Sequence, residues 1–153
     1  MVSREGLGLK PIPGSILLDL AGILALAFEG DEFHPNADRM MRQVDGQGAS
    51  VYTSDTTPYE AEAHFLSGKS GHPRKEWGDL LSRLWQDPLF PRIPVTSKVY
   101  AEHLGFYKAA GGRLSYFDSY HAATSKVTGI PLVTTDGSLL SEPSVPAIDL
   151  RSF

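Results

Sequence analysis

The chain has 153 residues, of which 41% are hydrophobic and 21% are charged, as in a globular protein with one hydrophobic core. It contains no cysteine, which excludes a disulfide scaffold, a thiolate zinc site and a cysteine nucleophile. The formal net charge of −4 argues against a protein that coats nucleic acid by bulk charge, while a local basic patch on an acidic body stays open.

The longest apolar stretch runs from Ile16 to Phe28 and is interrupted by Asp19. It is shorter than the roughly 20 residues that span a bilayer. We therefore expect a soluble cytoplasmic protein that does not enter a membrane.

Short apolar runs alternate with helical apolar periods along the chain. In chain order they predict a strand at residues 15–19, helices at 20–29 and 35–45, a strand at 49–53, a helix from 57, a connector at 67–75, a helix at 77–85, a strand at 92–95, helices at 97–110 and 115–128, and strands at 130–135 and 145–150. Strands that alternate with helices favour an α/β sandwich with a mostly parallel sheet.

Four acidic residues lie at the ends of these elements. Asp19 ends the first predicted strand, and Asp136 follows the fourth. Glu60 and Asp118 lie in the first turns of two helices. Because ligands bind beyond the carboxyl ends of parallel strands, this topology can bring all four acids to one crevice.

Each acid also has a purely structural interpretation. Thr57 and Glu60 fit a capping box, as do Ser115 and Asp118. Asp19 fits the N-cap of the helix that follows it, and Asp136 with Gly137 fits an ordinary turn. Taken singly, capping or turn formation is the favoured interpretation of each acid, and only their meeting in space favours a functional one.

Clustered carboxylates need protons or a cation. Two of them about 4 Å apart repel by roughly 4 kcal/mol at an effective dielectric constant near 20. Oxygen-only ligands suit a hard divalent ion such as Mg²⁺ or Mn²⁺. Such an ion lowers the pKa of a bound water and stabilises charge on a phosphoryl oxygen, so the pattern indicates phosphodiester hydrolysis.

Four segments resemble the PIN domain, the fold of VapC-type toxin ribonucleases. Residues 17–26 (LLDLAGILAL) resemble the opening strand, acid and helix of the family, and residues 53–60 (TSDTTPYE) resemble the segment that ends in its glutamate. Residues 114–123 (LSYFDSYHAA) and 129–136 (GIPLVTTD) resemble its third and fourth motifs, which are the most specific.

The resemblance implies a three-layer α/β/α sandwich with a five-stranded parallel sheet of order 3-2-1-4-5. It implies that Asp19, Glu60, Asp118 and Asp136 are catalytic residues that bind Mg²⁺ or Mn²⁺. Thr134 matches the hydroxyl residue that helps to hold the waters of the metal or the substrate. The implied activity is cleavage of single-stranded RNA to a 5′-phosphate and a 3′-hydroxyl.

The resemblance also implies a single PIN-like domain over residues 1–153, with a core at about 15–150 and an N-terminal extension at 1–14. It leads us to expect a homodimer and, for the toxin of a toxin–antitoxin pair, an antitoxin protein. The chain departs from the family after the first acid, where Leu20 and Ala21 replace the usual Thr and then Asn or Ser. This departure predicts a weaker nuclease or support for the acid from another residue.

Further side chains are candidates for supporting roles. His121 shares a helix face with Asp118 and is a candidate to orient that acid or to touch substrate, although a packed histidine is the commoner case. Asp55 is a candidate outer acid of the site. The basic connector carries Lys69, Arg74 and Lys75, which are candidates to contact RNA phosphates unless they are only solvated surface charges.

Two alternatives of other classes stay open. A catalytically silent PIN-like module that binds nucleic acid or protein is favoured by the departure at Leu20 and Ala21. A receiver-like phosphoacceptor also gathers aspartates beside a parallel sheet, but it needs a lysine after a late strand, where this chain has only Arg151.

Overall fold

A computed structural model describes residues 11–69, 71–86, 89–109 and 111–153. The strands in this part of the chain are β1 (Ser15–Leu18), β2 (Ser50–Ser54), β3 (Arg92–Ile93), β4 (Leu132–Thr134) and β5 (Ala147–Asp149). The α-helices are α1 (Leu20–Ala27), α2 (His34–Gln47), α3 (Thr57–Ser67), α4 (Arg74–Gln86), α5 (Ser97–Ala109), α6 (Tyr116–Thr128) and α7 (Gly137–Leu140). A 3₁₀ helix follows at Leu150–Ser152.

The five strands form one parallel sheet of order β3-β2-β1-β4-β5, as predicted. Each pair of neighbours is parallel, so every strand ends at the same edge of the sheet. β1 lies at the centre, between β2 and β4. Residues that follow β1 and β4 are therefore placed side by side at this edge.

Side chains of β1 alternate between two hydrophobic cores. Ile16 and Leu18 pack with residues of α1, α2 and α4, while Leu17 packs with residues of α5 and α6. This alternation follows from the two-residue period of a strand and places helices on both faces of the sheet. The three-layer α/β/α sandwich is therefore confirmed.

Several predicted boundaries shift. The predicted connector at 67–75 is shorter, because Ser67 belongs to α3 and Arg74 begins α4. Helix α7 was not predicted: its four residues are too few to show an apolar period, and Asp136-Gly137 reads as a turn. Most of the predicted extension at 1–14 lies outside the described residues, and the single-domain assignment stays a prediction.

Helix α4 contains the clearest apolar stripe of the sequence. Trp77 is buried in the core, whereas Trp85 lies at the surface and packs edge-on against Tyr59 with ring centroids 4.9 Å apart. No helix in the described part of the chain is long and apolar enough to span a membrane.

Candidate functional site

Asp19 lies directly after the central strand β1 and is almost completely buried. Its Oδ1 accepts a hydrogen bond from the backbone N–H of Gly22 at 3.0 Å, which caps helix α1. Its Oδ2 accepts one from the hydroxyl of Thr134 at 2.5 Å. Burial raises the pKa of Asp19 to about 6, although these hydrogen bonds and the charge of His121 oppose the rise.

Glu60 and His121 form a buried pair between helices α3 and α6. Nε2 of His121 lies 2.6 Å from Oε2 of Glu60, although 61 residues separate them in sequence. Burial alone would lower the pKa of His121, but the charge of Glu60 and its hydrogen bond, with the charges of Asp19 and Asp118, raise that pKa to about 9. His121 is therefore a cation at neutral pH, surrounded by acids.

Asp118 occupies the first turn of α6, one helical turn before His121. Ser115 caps this helix, because its hydroxyl accepts the backbone N–H of Asp118 at 3.1 Å. Burial raises the pKa of Asp118, and the charges of Glu60 and Asp136 raise it further. These mutual effects show that the carboxylates lie within electrostatic reach of one another.

Asp136 follows β4 and begins helix α7. Its Oδ1 accepts the backbone N–H groups of Ser138 at 2.7 Å and Leu139 at 3.3 Å. Its own N–H donates to the hydroxyl of Thr134 at 3.0 Å. Because the same hydroxyl donates to Asp19, Thr134 joins the acids that follow β1 and β4.

Hydrogen bonds and charge interactions thus connect the four predicted acids with one another. Asp19 and Asp136 cap helices as well, so the structural interpretation holds for them alongside their place in the cluster. It does not hold for Glu60: the N-cap of α3 is Thr56 rather than Thr57, and the Glu60 carboxylate bonds His121.

The four carboxylates supply oxygen ligands, which hard divalent ions prefer. Their positions, however, do not converge on one point. Over the described residues, no three histidine or acidic side chains are close enough together to hold a metal ion. Oxygen atoms of Asp19 and Glu60 instead bond Thr134 and His121. A carboxylate oxygen has a second lone pair, so these hydrogen bonds do not prevent metal ligation.

The departure at Leu20 and Ala21 does not leave Asp19 without polar contacts. Leu20 packs in the hydrophobic core, while Ala21 is exposed. Both oxygens of the Asp19 carboxylate accept hydrogen bonds, from Gly22 and from Thr134.

Two of the other predicted site residues, Asp55 and Arg74, contact residues that are not part of this cluster. Asp55 follows β2 and pairs with Arg92, with Oδ1 3.5 Å from Nε. Lys69 lies just beyond the C-terminal end of α3, whereas Glu60 lies in its first turn, so about 12 Å of helix separates them along the axis. The Arg74 guanidinium lies 5.0 Å from the centre of the Phe65 ring.

The sequence interpretation missed a group of tyrosines on α5 and α6. Tyr100 and Tyr107 are seven residues apart, a spacing that places them on one helix face. Tyr116 precedes Asp118 by two residues. This spacing is visible in the sequence, but aromatic residues at helical spacing usually belong to a core, so it gives no sign of exposure.

Solved structures of toxin–antitoxin proteins share this fold. The chain superposes on FitAcB from Neisseria gonorrhoeae with a TM-score of 0.64 and 23% identity, covering 89% of this chain and 98% of that one. For the sarcin–ricin-loop-cleaving toxin VapC20 from Mycobacterium tuberculosis the TM-score is 0.61 with 18% identity, covering 85% and 98%. For a toxin–antitoxin complex from Klebsiella pneumoniae it is 0.57 with 16% identity, covering 88% and 97%. At these identities the likeness shows a common fold.

No curated protein matches the sequence significantly. Residues 16–142 match the PIN domain family, and this match includes β1 except for its first residue, β2 to β4 and all four acids. The chain therefore belongs to the PIN domain family.

Proposed function

We propose that this protein is a metal-dependent endoribonuclease and the toxin of a type II toxin–antitoxin pair. The observation that carries the proposal is the cluster of Asp19, Glu60, Asp118 and Asp136 at the carboxyl edge of the sheet. Membership of the PIN family supports it. The solved structures support it further, since one of them is described as a toxin that cleaves the sarcin–ricin loop.

The four carboxylates are the residues that would hold Mg²⁺ or Mn²⁺ in this proposal. A bound ion of this kind would supply a water of lowered pKa and would offset negative charge on the phosphoryl oxygens. Hydrolysis adds the oxygen of water to phosphorus and breaks the bond from phosphorus to O3′. The products are a 5′-phosphate and a 3′-hydroxyl.

The protein's own side chains keep these acids in place before substrate arrives. Thr134 holds Asp19 through its hydroxyl and binds the N–H of Asp136, so one side chain sets the relative positions of two acids. Preformed positions matter because groups that are already oriented need no reorganisation during the reaction.

His121 is proposed as a positioning residue. Its Nε2 fixes Glu60 at 2.6 Å, and its positive charge offsets part of the repulsion among the acids. Because it is completely buried, His121 is not proposed to contact RNA. Its role is to orient the Glu60 carboxylate inside the protein.

Three further roles from the sequence stay proposals. Asp55 would act as an outer acid of the site, and Lys69, Arg74 and Lys75 would contact RNA phosphates. Because Lys69 lies at the far end of α3 from Glu60, such contacts would involve phosphates several nucleotides from the one that is cut.

Antitoxin binding is proposed from the structural likeness. The structures from Neisseria gonorrhoeae and Klebsiella pneumoniae are described as FitAcB and as a toxin–antitoxin complex. We propose a corresponding antitoxin partner for this chain, and a homodimer as its assembly. Purification of the chain with the product of a small neighbouring gene tests the first proposal, and sedimentation of the pure protein tests the second.

The nuclease proposal is tested by cleavage of end-labelled single-stranded RNA with added Mn²⁺. We expect the wild-type protein to cleave it and Asp118→Asn to lose most of this activity, with no cleavage by either in EDTA. Asp38→Asn is the matched control, because Asp38 is an exposed acid paired with Arg42 on α2. Equal cleavage by wild type and Asp118→Asn would contradict the catalytic assignment.

A catalytically silent binding module is the second candidate. Two observations favour it: the departure at Leu20 and Ala21, and carboxylates that do not converge as a ready metal site in the described residues. Calorimetric titration with Mn²⁺ separates the two candidates. The nuclease takes up the ion and loses this uptake in Asp118→Asn, whereas a binding module need not take it up.

A further inference from the structure

Arg151 lies at the carboxyl edge of the sheet, in the 3₁₀ helix that follows β5. β5 is parallel to β4, and their register places Asp149 beside Thr134. Neighbouring strands lie about 4.8 Å apart. The Thr134 hydroxyl bonds Asp19 and the backbone N–H of Asp136. The end of β5 is therefore the next position along this edge after the acids.

The backbone of Arg151 is held by its neighbours. Leu150 is completely buried and packs in the hydrophobic core with residues of α1, α2 and α4. Asp149 caps the 3₁₀ helix, because its Oδ1 accepts the backbone N–H of Arg151 at 2.9 Å. The Ser152 hydroxyl donates to the backbone carbonyl of Asp149 at 2.6 Å. The arginine side chain therefore starts from a fixed point.

The guanidinium of Arg151 is held mainly by one edge. Its Nε donates to both oxygens of the Asp149 carboxylate, at 2.9 and 3.2 Å. Its Nη2 donates to the backbone carbonyl of Thr135 at 3.4 Å. Nη1 donates no hydrogen bond within the residues that the structure describes, and the side chain is 50% exposed. Both N–H groups of Nη1 and the second one of Nη2 are thus left for a ligand.

These remaining donors suit a phosphate. Nη1 and Nη2 form the end of the planar guanidinium, which can bind two oxygens of a phosphate at once. The side-chain hydrogen bond from Arg151 lowers the pKa of Asp149, so this carboxylate stays ionised at neutral pH and keeps hold of Nε. An ion pair as exposed as this one contributes little to stability, so its main effect is to orient the guanidinium.

One peptide group separates Arg151 from the Thr134 hydroxyl. The N–H of the peptide between Thr135 and Asp136 bonds that hydroxyl, and its carbonyl accepts from Arg151. The peptide is trans, so these two groups point in opposite directions. The guanidinium and the hydroxyl therefore lie on the order of 8 Å apart. This separation is too large for both to contact one phosphate, and it places Arg151 for the next phosphate of the same strand.

We propose that Arg151 binds a backbone phosphate of single-stranded RNA that neighbours the phosphodiester at the acids. This inference rests on the proposed nuclease function and adds a substrate contact to the same site. Arg151 lies outside residues 16–142, so the contact does not follow from the family match. A phosphate carries no base information, so Arg151 fixes the position of the strand rather than selecting its sequence.

Binding of fluorescein-labelled oligouridylate in EDTA tests this contact without cleavage. We expect Arg151→Gln to weaken binding about fivefold or more, because a charged hydrogen-bond donor to phosphate is lost. Arg42→Gln is the matched control, since Arg42 is an exposed arginine that also pairs with an acid, Asp38 on α2. This control should bind like wild type.

A double variant separates the lost contact from an uncovered charge. Arg151→Gln alone leaves the charge of Asp149 uncompensated, and that charge repels RNA. Asp149→Asn with Arg151→Gln removes both charges and keeps a residue type that caps helices well. We expect this double variant to remain weaker than wild type, with a slope of log affinity against log salt reduced by about 0.7. Asp149→Asn alone keeps the arginine and should bind at least as tightly as wild type.

The position of the contact is tested with a tetranucleotide in Mn²⁺. Because a phosphate away from the reacting bond is held equally before and during the reaction, the double variant should raise KM about fivefold and leave kcat nearly unchanged. An unchanged KM for this short substrate would place Arg151 far from the cleaved bond and overturn the proposal.

Three binding results would also overturn it. A double variant that binds like wild type would show that Arg151 only offsets the charge of Asp149. Asp149→Asn as weak as Arg151→Gln would assign the effect to the ion pair and its local structure. Arg42→Gln as weak as Arg151→Gln would assign it to the overall charge of the protein.

The phosphate contact and the nuclease can fail separately. Binding in EDTA that depends on Arg151, with no cleavage in Mn²⁺, would leave the contact standing and remove the nuclease. Cleavage that depends on Asp118, with wild-type binding by the double variant, would remove the contact and leave the nuclease.

Discussion

His121 reverses the usual expectation for a buried histidine. Full burial favours the neutral ring, yet three nearby carboxylates raise the pKa to about 9. The charged ring in turn makes the acids easier to keep ionised, as the lowering effect of His121 on Asp19 and Asp118 shows. The cluster therefore contains part of its own counter-charge.

This arrangement predicts a loss of stability at high pH. Because the pKa of His121 rises from 6.5 to about 9 on folding, the protonated ring stabilises the fold fully below pH 6.5 and loses this effect as the pH rises to 9. Urea unfolding in EDTA should show a decline on the order of 3 kcal/mol across this window.

His121→Gln is the control for this prediction. Glutamine keeps a donor for Glu60 without a titrating charge, so its unfolding free energy should stay nearly flat between pH 6.5 and 9. Asp19 titrates in a separate window: because its pKa is raised on folding, stability falls as the pH increases from 3.8 to about 6. An equal decline in the variant would assign the effect to another group.

Thr134→Val tests the hydroxyl that links two acids. The substitution removes the donor to Asp19 and the acceptor of the Asp136 N–H, which leaves polar groups without partners. We expect a loss of about 1 to 3 kcal/mol in the free energy of unfolding and a lower cleavage rate. Thr134→Ser keeps the hydroxyl and should retain most of the activity, and a fully active valine variant would contradict this role.

At the scale of elements, the start of α3 shows what the sequence does not decide. The order Thr57, Pro58, Tyr59, Glu60 has the spacing of a capping box, and it also has the spacing of a family motif that ends in a glutamate. Local spacing cannot separate the two, because the deciding contact is with His121, 61 residues later. Asp19 and Asp136 show that one side chain can both cap a helix and join a cluster.

A prediction for Thr57→Val concerns the same helix start. The hydroxyl of Thr57 is buried and has no hydrogen-bond partner among the described residues, so it does not cap α3. Replacing it by a methyl group of the same shape should raise the free energy of unfolding by about 1 kcal/mol in urea titration. Thr57→Ser keeps the unpartnered hydroxyl and removes the methyl, so it should destabilise. A destabilised valine variant would show that the hydroxyl does bond after all.

Within the described residues, short apolar runs predicted the five strands and helical apolar periods predicted six of the seven helices, because each of these elements buries apolar side chains. The sheet order came from the family resemblance, since pairing of strands is a long-range property that no local pattern contains. The fourth residue of β2, Thr53, pairs with Arg92 of β3, a two-residue strand that lies at the edge of the sheet. Such short elements, like α7, depend on their neighbours rather than on their own sequence.

For the whole molecule, the acid cluster is a local cost to stability that the proposed function would require. Burial and the charges of Glu60 and Asp136 raise the pKa of Asp118, so its ionised form is unfavourable in the metal-free fold. Functional sites often retain such repulsion because the ligand relieves it. Stability and ion binding should therefore respond to Asp118 in opposite directions.

The variant Asp118→Asn tests whether stability and ion binding change in opposite directions. Without metal, the variant should unfold at a higher temperature than wild type, because it lacks a carboxylate that the fold disfavours. With Mn²⁺ at about 100 times the dissociation constant, wild type should gain about 2.7 kcal/mol by mass action and the variant much less. The surface control Asp38→Asn should follow wild type in both conditions, since an exposed ion pair contributes little. A variant that gains as much from Mn²⁺ as wild type would place the ion elsewhere and separate these acids from metal binding.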